Sequence, residues 1–282
     1  MLKRQHPAPI DYLLIGHLTR DLTPQGYQVG GTVAYAALTA RRLGKRVGIV
    51  TSHADDFYAP VLEGIPVVTL PAEYSTTFEN TETPTGRRQH VLARAQPLDY
   101  PHIPETWMQT PIVHLAPVAQ EVSPNLVRYF PDSFLGVTPQ GWLREWDAGG
   151  MVRAGEWPEA RFVLSNASAA VFSLEDINGD ESRIEELIHA CPVIVVTEGA
   201  EGARVYWHSD VRRFRPPAVE VVDTTGAGDI FAAAFFIRLH HTQDPWEAAR
   251  FATRLASFSV TRRGLASIPT PQEIESTAVE VF

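Results

Sequence analysis

Cysteine is nearly missing from this chain: Cys191 is the only one in 282 residues. One thiol cannot close an internal disulfide, and such low cysteine usage fits a reducing compartment. Basic residues are in the minority, 24 Lys and Arg against 33 Asp and Glu, and they form no block. A general nucleic-acid binder needs a basic face, so that class is excluded. A nucleotide ligand is not, because backbone amides and one or two arginines suffice to hold a phosphate. Long apolar runs are also lacking. The longest, Ile230–Ile237, is far shorter than the roughly 20 residues of a membrane-spanning helix. Met1–Pro9 is polar and proline-rich, without the apolar stretch of a signal peptide. The reading is a cytoplasmic protein with neither membrane nor nucleic-acid partner.

Several motifs are absent as well. There is no GxxxxGK[ST], since Gly44-Lys45-Arg46 lacks both hydroxyl and spacing, and no GxGxxG follows a strand. The chain therefore reads as neither a P-loop NTPase nor a dinucleotide oxidoreductase. His240 and His241 are adjacent on a helix and point apart, with no HExxH or paired CxxC beside them, so they make no metal site.

What is present is an ordinary globular composition, 44% hydrophobic and 20% charged. A chain of this length can bury a sizeable core without staples. Asp11–Gly16 reads as a buried strand and turn. Gly30-Gly31 then opens a helix over Thr32–Leu43, with Gly44 as its C-cap, and Arg46–Val50 is the next strand. Strand, helix, strand is the unit of a parallel sheet. Ser75–Glu79 and Gln89–Ala93 alternate around a turn at Thr83-Pro84-Thr85-Gly86, which predicts a hairpin with one wet face. Further buried strands are expected at Ile112–Leu115, Phe134–Val137, Phe162–Ser165 and Val193–Thr197, with a helix at Glu181–His189. Asp244-Pro245-Trp246-Glu247 and Thr270-Pro271-Gln272-Glu273 each supply a cap, a first-turn proline and a Glu at N3, and so start two more helices.

The chemistry concentrates in Val219–Phe236, VEVVDTTGAGDIFAAAFF, where an apolar strand runs through a glycine turn straight into a helix. A helix start leaves backbone N–H groups unpaired and concentrates positive potential. Gly226 and Gly228 put no side chain in the way, so the amides of Gly226, Ala227 and Gly228 are candidates for an anion hole. Asp229 follows on the first turn, where a carboxylate can accept the proton of an attacking hydroxyl. Phosphoryl transfer needs this combination, because its catalysis is mostly positioning and charge stabilisation.

DTTGAGDIFAAAF closely resembles the C-terminal signature of the PfkB carbohydrate kinases, the ribokinase-like superfamily. The resemblance runs over nearly the whole chain: Asp11–Asp21, the Gly30-Gly31 pair, Thr197–Gly202 (TEGAEG) and Phe251–Gly264 each resemble a family segment. It implies one three-layer α/β domain over 1–282, a mainly parallel central sheet flanked by helices, with a small β lid formed by about 22–29 and 74–96. It implies that Asp229 is the catalytic base beside the anion hole of Gly226, Ala227 and Gly228. Asp21, Gly30 and Gly31 would grip the acceptor, and Thr197, Gly199, Gly202 and Thr253 would contact ATP. Carbonyls at Asp223, Thr225, Ser259, Arg262 and Gly264 match a K⁺ site of many relatives.

Three positions depart from the family pattern. Tyr35 stands where an asparagine usually faces the substrate, which predicts an altered pocket. The NxxE segment that organises Mg²⁺ and phosphates reads Asn166-Ala167-Ser168-Ala169, so either Mg²⁺ would be held through waters and other carboxylates such as Glu198, or turnover would be weak. The first lid segment, Leu22–Val29, is short, which favours a monomer. Thr138–Arg144 (TPQGWLR) resembles the Q-x-x-x-R segment of the myo-inositol kinase branch and makes Arg144 a phosphate or substrate contact. The expected function is transfer of the ATP γ-phosphoryl to a sugar or cyclitol hydroxyl. The open alternatives are a nucleoside kinase, with Phe78 or Tyr35 stacking on the base, and a degenerate kinase acting as a ligand sensor.

Overall fold

The computed structural model describes residues 7–24, 26–83 and 86–278. β1 (Tyr12–Ile15) is followed at once by a hairpin, β2 (Thr19–Thr23) and β3 (Gly26–Gly30), then by α1 (Thr32–Arg42), β4 (Val47–His53) and β5 (Val67–Pro71). A second hairpin, β6 (Thr77–Thr83) and β7 (Gly86–Ala93), precedes β8 (Ile112–Leu115) and β9 (Phe134–Val137). A short hairpin, β10 (Arg144–Trp146) and β11 (Val152–Ala154), leads to α2 (Ala160–Leu164), β12 (Ala169–Ser173), α3 (Glu181–Leu187) and β13 (Val193–Thr197). Then come the hairpin β14 (Ala203–Trp207) and β15 (Asp210–Phe214) and the helices α4 (Ala227–Thr242), α5 (Pro245–Ser259) and α6 (Pro271–Ala278).

Nine strands make one sheet in the order β15-β14-β13-β12-β9-β8-β1-β4-β5. All of its pairings are parallel except those of the β14–β15 hairpin. Both faces are covered, which is why the strands read as unbroken apolar runs. Leu13 and Ile15 of β1 point to one face, with Val113, Leu135, Phe172 and Ile194, and are roofed by Trp107, Leu126, Val163 and Ile184. Tyr12 and Leu14 point to the other, against α1 and against Ala233 and Ile237 of α4. The same face continues over β12–β14, under α4 and α5.

A separate four-stranded sheet, β3-β2-β6-β7, stands beyond the carboxyl end of β1. Its hairpins meet through parallel pairing of β2 with β6. It is fastened to the main body on two sides. The Val91 amide donates to the Gly150 carbonyl of the β10–β11 turn. On the far side Arg20 pairs with Asp56 and lies over the rings of Tyr27 and Phe57.

One expectation is corrected here. Phe162–Ser165 is not a strand: Ala160–Leu164 is a helical turn and a half, and the strand is Ala169–Ser173. Four apolar residues do not distinguish a buried helix from a strand, and the true strand opens with two alanines, poor strand formers on propensity. Thr19–Thr23, for which the sequence predicted no element of its own, is strand β2, so Asp21 stands within a sheet.

Candidate active site

Strand β1 has β4 on one side and β8 on the other, so the direction of winding reverses between β1 and β8. Open α/β sheets bind ligands outside the carboxyl ends of their strands at such a point. The loops after β1 and β8 pass so close that a methyl group on Gly16 would overlap the Ala116 carbonyl.

α4 delivers Asp229 to this cleft. Gly226 is the helix N-cap in the left-handed region, φ 79° and ψ −3°, a conformation that favours glycine. A side chain on Gly226 would also collide with the Tyr35 ring, whereas Gly228 faces open space. The Ala227 amide is turned to the Thr224 carbonyl at 3.2 Å, and no such bond is made by Gly226 or Gly228 among the described residues. Gly226 and Gly228 are the two candidate donors.

Asp229 is only partly reached by solvent. Protein crowds the rest of the carboxyl, and its pKa is raised to about 6. Desolvation is the main cause. A hydrogen bond with the Thr32 side chain and the charge of Arg144 pull the other way, while Asp176 and Asp21 push it further up. These five side chains come from α4, α1, β10, the turn after β12, and β2, and they define the site.

Asp21 accepts from the Thr19 hydroxyl at 3.0 Å, and its carboxylate lies so close to Gly30 that a methyl group there would overlap Oδ2. Gly31, φ +85°, passes tight against the His17 carbonyl. The structure thus brings Asp21 and the diglycine together at the root of the small sheet. Arg144 donates to the Val118 carbonyl at 3.0 Å, and its guanidinium lies 5.7 Å from the centre of the Phe78 ring. Asp223 accepts from the Thr225 amide at 2.9 Å and the Gly264 amide at 3.0 Å, and so draws 223–225 and the loop after α5 together. At the end of α5 the Ser259 hydroxyl is committed to the Ala256 carbonyl, and in the loop Arg262 is committed to Glu273, which leaves main-chain oxygens as the groups on offer. The TEGAEG turn brings Thr197, Gly199 and Gly202 to the end of β13; Gly202 packs so tightly on the Phe214 carbonyl that no side chain fits.

Four expected positions fall elsewhere. Asn166 sits before β12, at the amino end of the sheet, donating to the Phe162 carbonyl. Tyr35 is buried, with its ring against Gly226 rather than opening into a pocket. Thr253 turns inward, its hydroxyl oxygen sealed from solvent. Glu198 is paired with Arg204 at 2.6 Å and Arg213 at 3.1 Å.

Asp176, Gln140 and Thr32 are the residues that sequence reasoning passed over. Asp176 closes a tight turn on the Ser173 amide, 2.8 Å, and accepts from Gln140 at 3.2 Å. Its signal is an acidic residue three positions after the end of a strand, visible only once β12 is placed correctly. Gln140 lies in the same TPQGWLR segment that singled out Arg144.

The model of the pfkB family carbohydrate kinases matches residues 151–273, which include Asp176, the TEGAEG turn and the GAGD turn. Ribokinase of Bacillus subtilis (strain 168) is 41% identical over 97 residues, 34% of this chain and 33% of that protein. Fructokinase of Escherichia coli is 25% identical over 282 aligned positions, 88% of this chain and 91% of that protein. Among solved structures, a pyrophosphate-dependent kinase of the ribokinase family, complexed with a pyrophosphate analog and myo-inositol, superposes with a TM-score of 0.78 at 20% identity, covering 94% of this chain and 99% of the other. Residues 151–273 thus match the pfkB family carbohydrate kinases, and the chain has a ribokinase-like fold.

Proposed function

We propose that this protein transfers a phosphoryl group from ATP to a hydroxyl of a sugar or cyclitol, with Asp229 as the base. The observation that carries the reading is a carboxyl with a pKa raised to about 6, at a helix start beside two glycine amides, with a second carboxylate, Asp21, facing it from the small sheet. A base poised near neutrality is ionised in use yet accepts a proton readily. Asp21, acceptor-only when ionised, would take hydrogen bonds from the polyol. Asp229 would remove the proton of the attacking oxygen. The Gly226 and Gly228 amides and Arg144 would hold charge on the transferring group. The small sheet would act as a lid that excludes water.

No group of three or more metal-ligating side chains occurs among the described residues. That fits Mg²⁺, which is usually bound by one or two carboxylates together with substrate phosphates and water. Asp176 is the carboxylate placed for this, since each of its oxygens keeps lone-pair capacity beyond its single bond. Bound there, the ion would neutralise charge on the donor oxygens. The carbonyls drawn together by Asp223 are the proposed seat of a monovalent cation such as K⁺.

A second reading concerns the donor. Thr253, expected beside adenine, has its hydroxyl sealed from the cleft, and a similarly folded kinase is named as pyrophosphate-dependent. Pyrophosphate is therefore the rival donor. The test measures phosphoryl transfer from Mg-ATP and from Mg-pyrophosphate to a panel of sugars, inositols and nucleosides, with Asp229→Asn as control. We expect transfer to a sugar or inositol that falls by roughly 10²–10⁴-fold in the control. Binding of ATP with no transfer to any acceptor would favour a sensor instead.

A further inference from the structure

Helix α1 touches the catalytic turn twice. Thr32, its first residue, is buried with its side chain beside Asp229, whose carboxyl its hydroxyl favours in the ionised form. Tyr35 lays its ring on the α-carbon of Gly226. Residues three apart on a helix share a face, so one face of α1 meets both the base and the amide turn. Both side chains are buried, and α1 packs along α4 over a core of Val33, Ala36, Ala37, Ala233 and Ile237, so the contact is rigid. At its other end α1 continues directly from Gly30 and Gly31, which pack on Asp21 and on the His17 carbonyl. A single stiff element thus runs from the root of the small sheet to the reacting carboxyl.

We propose that Thr32 and Tyr35 are a positioning pair: the Thr32 hydroxyl orients and ionises the Asp229 carboxylate, and the Tyr35 ring holds Gly226 in the left-handed turn that presents its amide. The pair acts through Asp229 and Gly226 and touches no substrate. It rests on the reading of Asp229 as the base.

The physical consequence is specific. A hydroxyl donated to a carboxylate favours the ionised form. The other charged groups facing Asp229 are Asp21 from β2, Asp176 from the turn after β12 and Arg144 from β10, and none of them is altered by a change at Thr32. Thr32→Val keeps the shape and removes the hydroxyl, so the Asp229 midpoint must move up. Thr32→Ser keeps the hydroxyl.

The experiment is a carboxyl ¹³C NMR titration of protein labelled at aspartate Cγ, with Asp229→Asn assigning the signal, and it needs no substrate. We expect Asp229 to titrate near 6 in the parent, at least half a pH unit higher in Thr32→Val, and near the parent value in Thr32→Ser. An unmoved midpoint in Thr32→Val overturns the role of Thr32. Alongside it, steady-state kinetics with the acceptor that responds in the panel follow Thr32→Val and Tyr35→Leu. We expect kcat to fall tenfold or more in each, the acceptor KM to change less than threefold, and the acid limb of kcat to shift up in Thr32→Val only. A rise in KM at constant kcat would make Tyr35 a substrate contact instead and overturn its part of the pair. Full transfer activity in Asp229→Asn would sink the base assignment, an outcome separate from an unmoved midpoint.

Discussion

Asp229 illustrates how one carboxyl is set against its own stability. Its pKa is raised from 3.8 to about 6, chiefly by desolvation. The unfolded chain therefore loses its proton more readily than the folded one, and folding stability falls as pH rises through that window. At pH 7 the shift corresponds to roughly 3 kcal/mol of destabilisation. Asp229→Asn should unfold at higher denaturant concentration than the parent at pH 7, and the advantage should vanish near pH 4. Equal urea midpoints at pH 7 would show that the carboxyl is solvated. The same shift sets the activity profile: kcat should fall as pH drops through about 6, where the base is protonated. Because Asp176 pushes the pKa up and Arg144 pulls it down, Asp176→Asn should move that acid limb to lower pH and Arg144→Gln to higher pH. Opposite signs from two neighbours are hard to obtain from generalised damage. At Gly30 a methyl group would overlap Asp21, so Gly30→Ala should raise the acceptor KM by about tenfold, near 1.4 kcal/mol, and leave the donor KM nearly constant.

Elements were legible in the sequence wherever the signal was local. Asp244 caps α5 by accepting from the Trp246 and Glu247 amides, and Thr270 and Glu273 bond reciprocally at the start of α6, as the two cap motifs imply. Asp244→Ala should cost about 1 kcal/mol and lower Tm by a few degrees, measured by thermal denaturation at pH 7. Glu247 also pairs with Arg238 of α4, so the α5 start is fixed to its neighbour as well as to its own cap. The GAGD turn was legible for the same reason: strand, glycines and base are contiguous. β2 was not, because TRDLT is polar and becomes a strand only by pairing with β3 and β6. Misplacing one strand at Phe162–Ser165 moved the expected metal-side residue to Asn166 and hid Asp176. Thr32 and Tyr35 meet the catalytic turn across most of the chain, and no spacing rule carries a contact of that range. Tyr35 could be read only as a departure from a pattern, and its partner, Gly226, appears once α1 and α4 are packed.

At the scale of the whole molecule, the main sheet and its junction with the small sheet carry two buried histidines whose protonation the fold must resist. His114 of β8 bonds the Tyr12 hydroxyl of β1 at 3.0 Å and the Thr138 hydroxyl beyond β9 at 2.9 Å, with its ring edge on Phe236 of α4. Tyr12 donates to Nδ1 and Nε2–H donates to Thr138, which fits a neutral ring; burial lowers its pKa to about 3. His17, between the Thr76 hydroxyl and the Gln96 carbonyl where the small sheet joins the body, is lowered too, mainly by burial and partly offset by the charge of Glu121. In both cases the unfolded chain binds the proton first, so stability is present above about pH 6.5 and is lost as pH falls below it. His114 alone accounts for roughly 2 kcal/mol of loss at pH 5. Asp229 contributes in the opposite direction, recovering about 1.4 kcal/mol between pH 7 and pH 5, so the two partly cancel in the parent. Removing Asp229 exposes the histidine term. Urea unfolding free energy should therefore fall more steeply from pH 7 to pH 5 in Asp229→Asn than in the parent, and adding His114→Gln should flatten the slope again whatever it costs at pH 7. A slope in the double variant as steep as in Asp229→Asn would place the acid sensitivity outside His114.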